Sequence, residues 1–381
     1  MALVHLTRVL PGEGWERPLH TFLSLSARST VQAPLPGAGL YGGTGGFALV
    51  FAQAAETEPR YATTAEKARS ALLRHITEGP WRPGTSRAQS GEFHQDYFYD
   101  VISGASGVLC ALIGIGIQDA TARESAGRLV RYLIRFADED ASRRLLSPAG
   151  SPDQALQREC PDGYFDLGLA HGAAGPLAAL ALAWLGGQRH PGQLRAIRSL
   201  AGWLVDRRVR DPWGVNWPNH VGRHTPPARG ATVDRPPSRA AWCYGAVGIA
   251  MALWHAGRAL GAPELRNLAI EAVDGVLRRP PAERHISSPT LCHGTAGLLM
   301  VCLRLAPAVP GSRIEAAVPV LAEQILDRYT PAAPLGFRDE EQPGVLVDDP
   351  GLLTGAAGVV LTLLAAAGSV TPDWDRVLLM S

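Results

Sequence analysis

Three side chains in this 381-residue sequence pair soft donor atoms with one recurring local phrase: Cys243 in Trp242-Cys-Tyr-Gly245, and Cys292 with His293 in Leu291-Cys-His-Gly294. Two thiolates and an imidazole suit zinc, and three protein donors leave a fourth position for water or substrate. A cysteine 49 residues before a Cys-His pair is thin as a metal motif, and buried thiols at helix starts would give the same letters. A second set shares the register. His171 precedes its own phrase in Leu169-Ala-His-Gly172, in step with Tyr244 and His293, while Asp100 lies four residues before Gly104 and Arg239 four before Cys243. Singly, such residues are ordinarily structural. Their convergence at one end of one architecture is what makes them a candidate active site, because converging titratable groups in a cavity mark such sites. Cys110 and Cys302 fall inside apolar runs and read as small core residues, and Cys160 reads as a loop thiol. The glycines at 42–46 invite a phosphate-loop reading, but no Lys-Ser/Thr follows them.

The elements that must position these groups follow from the glycines. A Gly-x-x-Gly phrase starts at Gly42, Gly104, Gly172, Gly245, Gly294 and Gly355, at intervals of 62, 68, 73, 49 and 61 residues. Each phrase leads into an apolar run, as in Val108 to Ile117 or Pro176 to Leu185. A helix apolar on nearly every side is buried all round. Between the phrases, Ala62 to Thr77, Ala120 to Phe136, Pro191 to Val209, Pro263 to Arg279 and Ser312 to Tyr329 mix apolar and charged residues at helical spacing. Pro191 and Pro263 are expected in first helical turns. Apolar helices alternating with amphipathic ones predict an all-α fold, an α/α toroid with an inner and an outer ring in six or seven repeats. An open solenoid would show polar terminal repeats, and the last phrase is as apolar as the middle ones. The expectation is one domain over 1–381, with a small irregular or β insertion around Asp211–Arg239 near the toroid mouth. Pro80 to Asp96 and Ser147 to Phe165 are expected as irregular connections.

Composition excludes several classes. Lys+Arg 36 against Asp+Glu 35 lacks the basic footprint of a nucleic-acid binder. The residues from Met1 to Pro18 carry Arg8, Glu13, Glu16 and Arg17 and have no apolar signal core. The apolar stretch Gly172 to Gly187 is too short to span a bilayer, and Gly351 to Val370 is broken by Thr354, Gly355, Gly358 and Thr362. Five scattered cysteines make no disulfide framework. A cytoplasmic protein without a membrane span is therefore expected.

Taken together, the six phrases with Trp242-Cys-Tyr-Gly245, Leu291-Cys-His-Gly294 and Leu169-Ala-His-Gly172 resemble the lanthionine synthetase C-like family, from about Gly39 to Ala367. The resemblance implies a toroid of seven inner and seven outer helices, one more inner element than the phrases account for. It implies Cys243, Cys292 and His293 as ligands of one zinc per chain, and His171, Asp100, Arg239 and Tyr244 as active-site residues. It further implies a lanthipeptide cyclase that adds peptide cysteine thiolates to dehydroalanine or dehydrobutyrine, forming lanthionine or methyllanthionine rings. In that reading zinc favours the thiolate, and His171, oriented by Asp100, moves protons. Arg239 faces the developing enolate and Tyr244 donates a hydrogen bond. The expected partners are a dehydrated precursor peptide with its leader and a separate dehydratase. Two other readings stand beside it: addition of glutathione to dehydrated peptides at the same zinc site, and a non-catalytic peptide-binding scaffold with structural zinc.

Overall fold

Close approach explains the glycines. A methyl group built on Gly107 would collide with the carbonyl of Val101, one on Gly248 with that of Trp242, and one on Gly358 with that of Leu352. In each case the second glycine of a phrase packs on the carbonyl six residues back, so the chain folds under itself before the helix begins. The first phrase obeys the rule from Gly43 to Gly46, the latter lying on the Leu40 carbonyl. The structural register is thus one residue later than the Gly42 start that the sequence suggests.

The computed structural model describes residues 1–79, 96–137, 146–147, 154–234, 236–368 and 372–381. In chain order the longer helices begin with α1 (Ala2–Val9), α2 (Glu16–Gln32), α3 (Thr44–Thr57), α4 (Ala62–Glu78), α5 (Ala105–Ile115) and α6 (Ala120–Ile134). They continue with α7 (Ala174–Leu185), α8 (Gln193–Asp206), α9 (Ala246–Leu260) and α10 (Pro263–Arg278). The last are α11 (Thr295–Leu305), α12 (Arg313–Leu326) and α13 (Ala356–Ala367). Helices α3, α5, α7, α9, α11 and α13 follow the six phrases. Each packs on the next around a ring, and α1 closes it by touching both α13 and α3. Among the described residues the α/α toroid is therefore realised with seven elements in the inner ring, the seventh carrying no glycine phrase. Among the described residues six helices, α2, α4, α6, α8, α10 and α12, pack outside them.

Burial matches the two patterns. In α7 the residues from Ala174 to Ala181 are buried without interruption, whereas α6 buries one face through Ala122, Ala126, Leu129 and Leu133. Pro263 opens α10 as expected, but Pro191 lies before α8, because Gly192 takes a left-handed conformation (φ 81°) at the helix start. Among its described residues, the stretch expected as a β insertion forms four short strands: β3 (Val209–Asp211), β4 (Gly214–Asn216), β5 (His220–Gly222) and β6 (Ala231–Thr232). Beside them stand β1 (Leu146–Ser147) and β2 (Tyr164–Asp166). The strands form two sheets, ordered β1-β2-β5 and β4-β3-β6, so the β region recruits two residue stretches ahead of the third phrase as well. The Pro80–Asp96 connection lies outside the described residues except for Asp96, as do residues 148–153 of the Ser147–Phe165 connection.

The C-terminal segment fills the ring's interior. The turn Trp374–Leu378, apart from the half-buried Arg376, and the following Leu379 and Met380 are buried. Cys110 of α5 donates to the Arg376 carbonyl, Trp242 to that of Leu378, and Tyr41 to that of Val377. His255 of α9 donates to the Leu379 carbonyl, and Arg304 of α11 clasps Asp375 with two nitrogens. Among the described residues no helix is long and apolar enough to cross a membrane.

Candidate functional site

The loops that run into the phrases are stitched to one another by backbone hydrogen bonds. Tyr41 N–H donates to Ile102 O (3.0 Å), Val101 to Ala170 (2.9 Å), Leu169 to Cys243 (2.9 Å), Cys243 to Cys292 (3.2 Å) and Cys292 to Leu353 (2.8 Å). This chain of bonds runs around the rim at the N-terminal ends of the inner helices. It brings Cys243 and Cys292, 49 positions apart in sequence, side by side. The neighbouring Cys292 thiol and then the Arg239 guanidinium hold the Cys243 thiol below its ordinary range despite burial, while the Cys243 thiol and burial push Cys292 well above it.

His293 is buried next to Cys292, and its Nε2 lies 2.9 Å from Asp339 Oδ1 and 2.8 Å from Glu341 Oε2. Asp339 is itself held by the Ser288 hydroxyl (2.7 Å) and the Glu340 amide (2.9 Å). Carboxylates on Nε2 fix the tautomer that leaves Nδ1 as the donor for a metal, the usual arrangement behind a ligating histidine. Donor chemistry and shared rim thus fit zinc. Among the described residues, no three His, Cys, Asp or Glu side chains stand close enough together to form a closed metal group as placed.

His171 Nδ1 donates to Asp100 Oδ2 at 2.7 Å, and Asp100, only 2% exposed, receives the amides of Ser103 (2.8 Å) and Gly104 (2.6 Å) on Oδ1. One carboxylate therefore caps the second phrase and orients the histidine of the third. The neutral ring then carries its lone pair on Nε2. Arg239 reaches Glu341 Oε1 through Nη2 at 3.1 Å, so Glu341 bridges Arg239 and His293. The Tyr244 hydroxyl donates to Asp166 Oδ2 at 2.8 Å, a buried carboxylate being a strong acceptor. Burial and this carboxylate push the Tyr244 phenol far above its ordinary range.

All seven residues singled out in the sequence thus stand on the stitched rim or hydrogen-bond to a residue that does. Four others carry no clear mark in the sequence: Asp166, His220, Asp339 and Glu341. Asp166 has a faint signal, an aspartate six residues before Gly172 that parallels Asp100 before Gly104. Asp339 and Glu341 sit in a charged run whose backbone pairing, Asp339 with Val347, is visible only in three dimensions.

The chain is similar to characterised proteins in sequence and in shape. It is 26% identical over 259 residues to the nisin biosynthesis protein NisC of Lactococcus lactis subsp. lactis, a match that covers 65% of this chain and 60% of that protein. Its fold superposes on a solved nisin cyclase with a TM-score of 0.78 at 21% identity, across the whole of this chain and 89% of that one. The profile described as lanthionine synthetase C-like protein matches residues 1–379, and with it the chain belongs to the lanthionine synthetase C-like family.

Proposed function

We propose that the protein is a zinc-dependent lanthipeptide cyclase, closing thioether rings within a dehydrated precursor peptide. The observation that carries this reading is the rim itself, where a cysteine pair and an imidazole held by carboxylates share one stitched surface with a His-Asp dyad. Cys243, Cys292 and His293 would hold one zinc, which supplies the Lewis acidity that makes a thiolate of the peptide's cysteine at neutral pH.

The chain's own groups account for the rest. His171, its Nδ1–H committed to Asp100, offers Nε2 to take the thiol proton and to return a proton to the α-carbon. Sulfur bonds to the β-carbon of the dehydro residue while hydrogen arrives at the α-carbon, so the addition balances without a co-reactant. Electron density shifts onto the neighbouring carbonyl as the bond forms, and the Arg239 guanidinium stabilises it once the substrate takes over the place of Glu341. Holding thiol and acceptor of one flexible peptide together supplies effective concentration. The dehydro residues come from a separate dehydratase acting earlier, and the cytoplasm is the compartment that suits free thiols on enzyme and substrate.

The test is incubation with a dehydrated peptide, with and without glutathione, followed by thiol alkylation and mass spectrometry. Loss of alkylatable peptide cysteines at unchanged peptide mass is the expected result. A gain of glutathione mass instead would assign the protein to external-thiol addition, and no change in either would leave a binding scaffold.

A further inference from the structure

The small sheet β1-β2-β5 ends against the rim, and it delivers two titratable side chains that the reaction above does not use. Asp166 closes β2 and is 3% exposed, and His220 opens β5 directly opposite it in register. Asp166 Oδ1 receives the Gly168 amide at 2.7 Å, and Oδ2 receives the Tyr244 hydroxyl at 2.8 Å. His220 Nε2 lies 3.7 Å from the same Oδ2. Its ring is tilted against that of Tyr244 with centroids 5.6 Å apart, and edge-on to Tyr164 at 5.0 Å. Two glycines make room for this assembly: a methyl on Gly168 would strike the Tyr244 ring, and one on Gly172 the Asp166 carboxylate.

We propose that Asp166 is the positioning residue of Tyr244, fixing its hydroxyl so that it meets the peptide substrate as a hydrogen-bond acceptor, with His220 bracing the phenol ring. The inference rests on the cyclase reading. Its construction repeats that of Asp100, where one carboxylate oxygen caps a loop before a phrase and the other orients a side chain contributed by the following repeat. A loop cap alone needs no carboxylate, because an asparagine carbonyl would accept the Gly168 amide equally well. Only the second, acceptor-only oxygen dictates which way the phenolic proton points. Asp166 also lies within electrostatic reach of His171, which places the Tyr244 assembly beside the His-Asp dyad.

Asparagine at this position tests the idea, since its Nδ2–H₂ would donate to the phenol and reverse its polarity. Asp166→Asn should lower kcat for ring closure about tenfold, less than the roughly 10²–10³-fold loss of a donor that touches the reacting atoms directly, with zinc content and melting temperature near native and KM within about twofold. In a Tyr244→Phe background the same substitution should cost nothing further, because coupled residues fail to add. An equal loss in both backgrounds, or native kcat in Asp166→Asn, overturns the proposal. If the asparagine variant does not fold, Asp166→Ser, which still accepts from Gly168 but is too short to reach Tyr244, runs the same cycle, and the same results support or overturn the proposal. A native chain that closes no ring counts against the cyclase reading and this inference together, whereas native ring closure unaffected by Asp166→Asn counts against this inference alone.

Discussion

Two pairs of cysteines in this protein share a residue type but stand in different surroundings. Cys110 and Cys302 lie within the apolar inner helices α5 and α11, and burial pushes both thiols up to about 12. Cys243 and Cys292 each stand two residues before a phrase, ahead of the helix, where the backbone stitching sets the two cysteines side by side and a guanidinium stands by; there Cys243 is held low and its neighbour Cys292 high. A desolvated thiol is inert; a desolvated thiol with a hydrogen-bond donor and a cation beside it is a ligand or nucleophile. Position relative to the glycine phrase decides which. The two regions differ in the same way as a whole: the interior is sealed by the C-terminal segment, while the rim keeps polar groups partly open.

Removing each pair tests this contrast most severely. Cys243→Ala with Cys292→Ala should abolish both zinc binding and ring closure, whereas Cys110→Ala with Cys302→Ala should retain one zinc per chain; elemental analysis reads both. Stoichiometric zinc in the rim variant would erase the distinction. Within the rim, His171→Asn should keep the metal and slow cyclisation by roughly 10²-fold or more, the scale of general acid–base help. Alkylation-based mass spectrometry measures it, and a near-native rate would demote His171 to a packing residue.

The interior should answer in stability instead. Trp374 is fully buried in the segment that fills the ring, so Trp374→Ala should cost about 3–5 kcal/mol in denaturant unfolding while leaving zinc in place. A gradual effect comes from pH. Burial pushes His255 down to about 3, so its folded ring stays neutral where the unfolded ring, near 6.5, takes up a proton. The unfolded state then binds more protons, and stability is lost as pH falls below about 6.5 toward 3, by up to about tenfold in the folding constant per unit. His255→Gln should flatten that slope, and thermal melts of both proteins from neutral to acid pH make the comparison. Identical slopes would show that His255 is not the titrating group.

Much of the fold is legible in the sequence because its constraints are local. A glycine forced against a carbonyl six residues back, a run apolar on every face and an amphipathic segment with a proline at its start are each written in consecutive residues. Where the sequence misleads, the reason is tertiary. The phrase at Gly42 is ambiguous by one residue because four glycines crowd positions 42–46, and only packing on Leu40 selects Gly43 and Gly46. Helix α1 carries no phrase, so nothing local marks it as the element that closes the ring.

The site divides along the same line. The residue types that stand before each phrase are written in the chain. Because the phrases recur in register, that order alone sets Cys243, Cys292, His293 and His171 on a common rim. What each does with its hydrogen bonds depends on folding. Asp166 meets Tyr244 across 78 residues, and Asp339 meets His293 across 46. Such pairs have no spacing rule, because the loops that join them are free to vary in length while the ring fixes their ends. The direction of the Tyr244 hydroxyl is settled there too: a buried carboxylate takes the phenolic proton, and only the fold brings that carboxylate within reach.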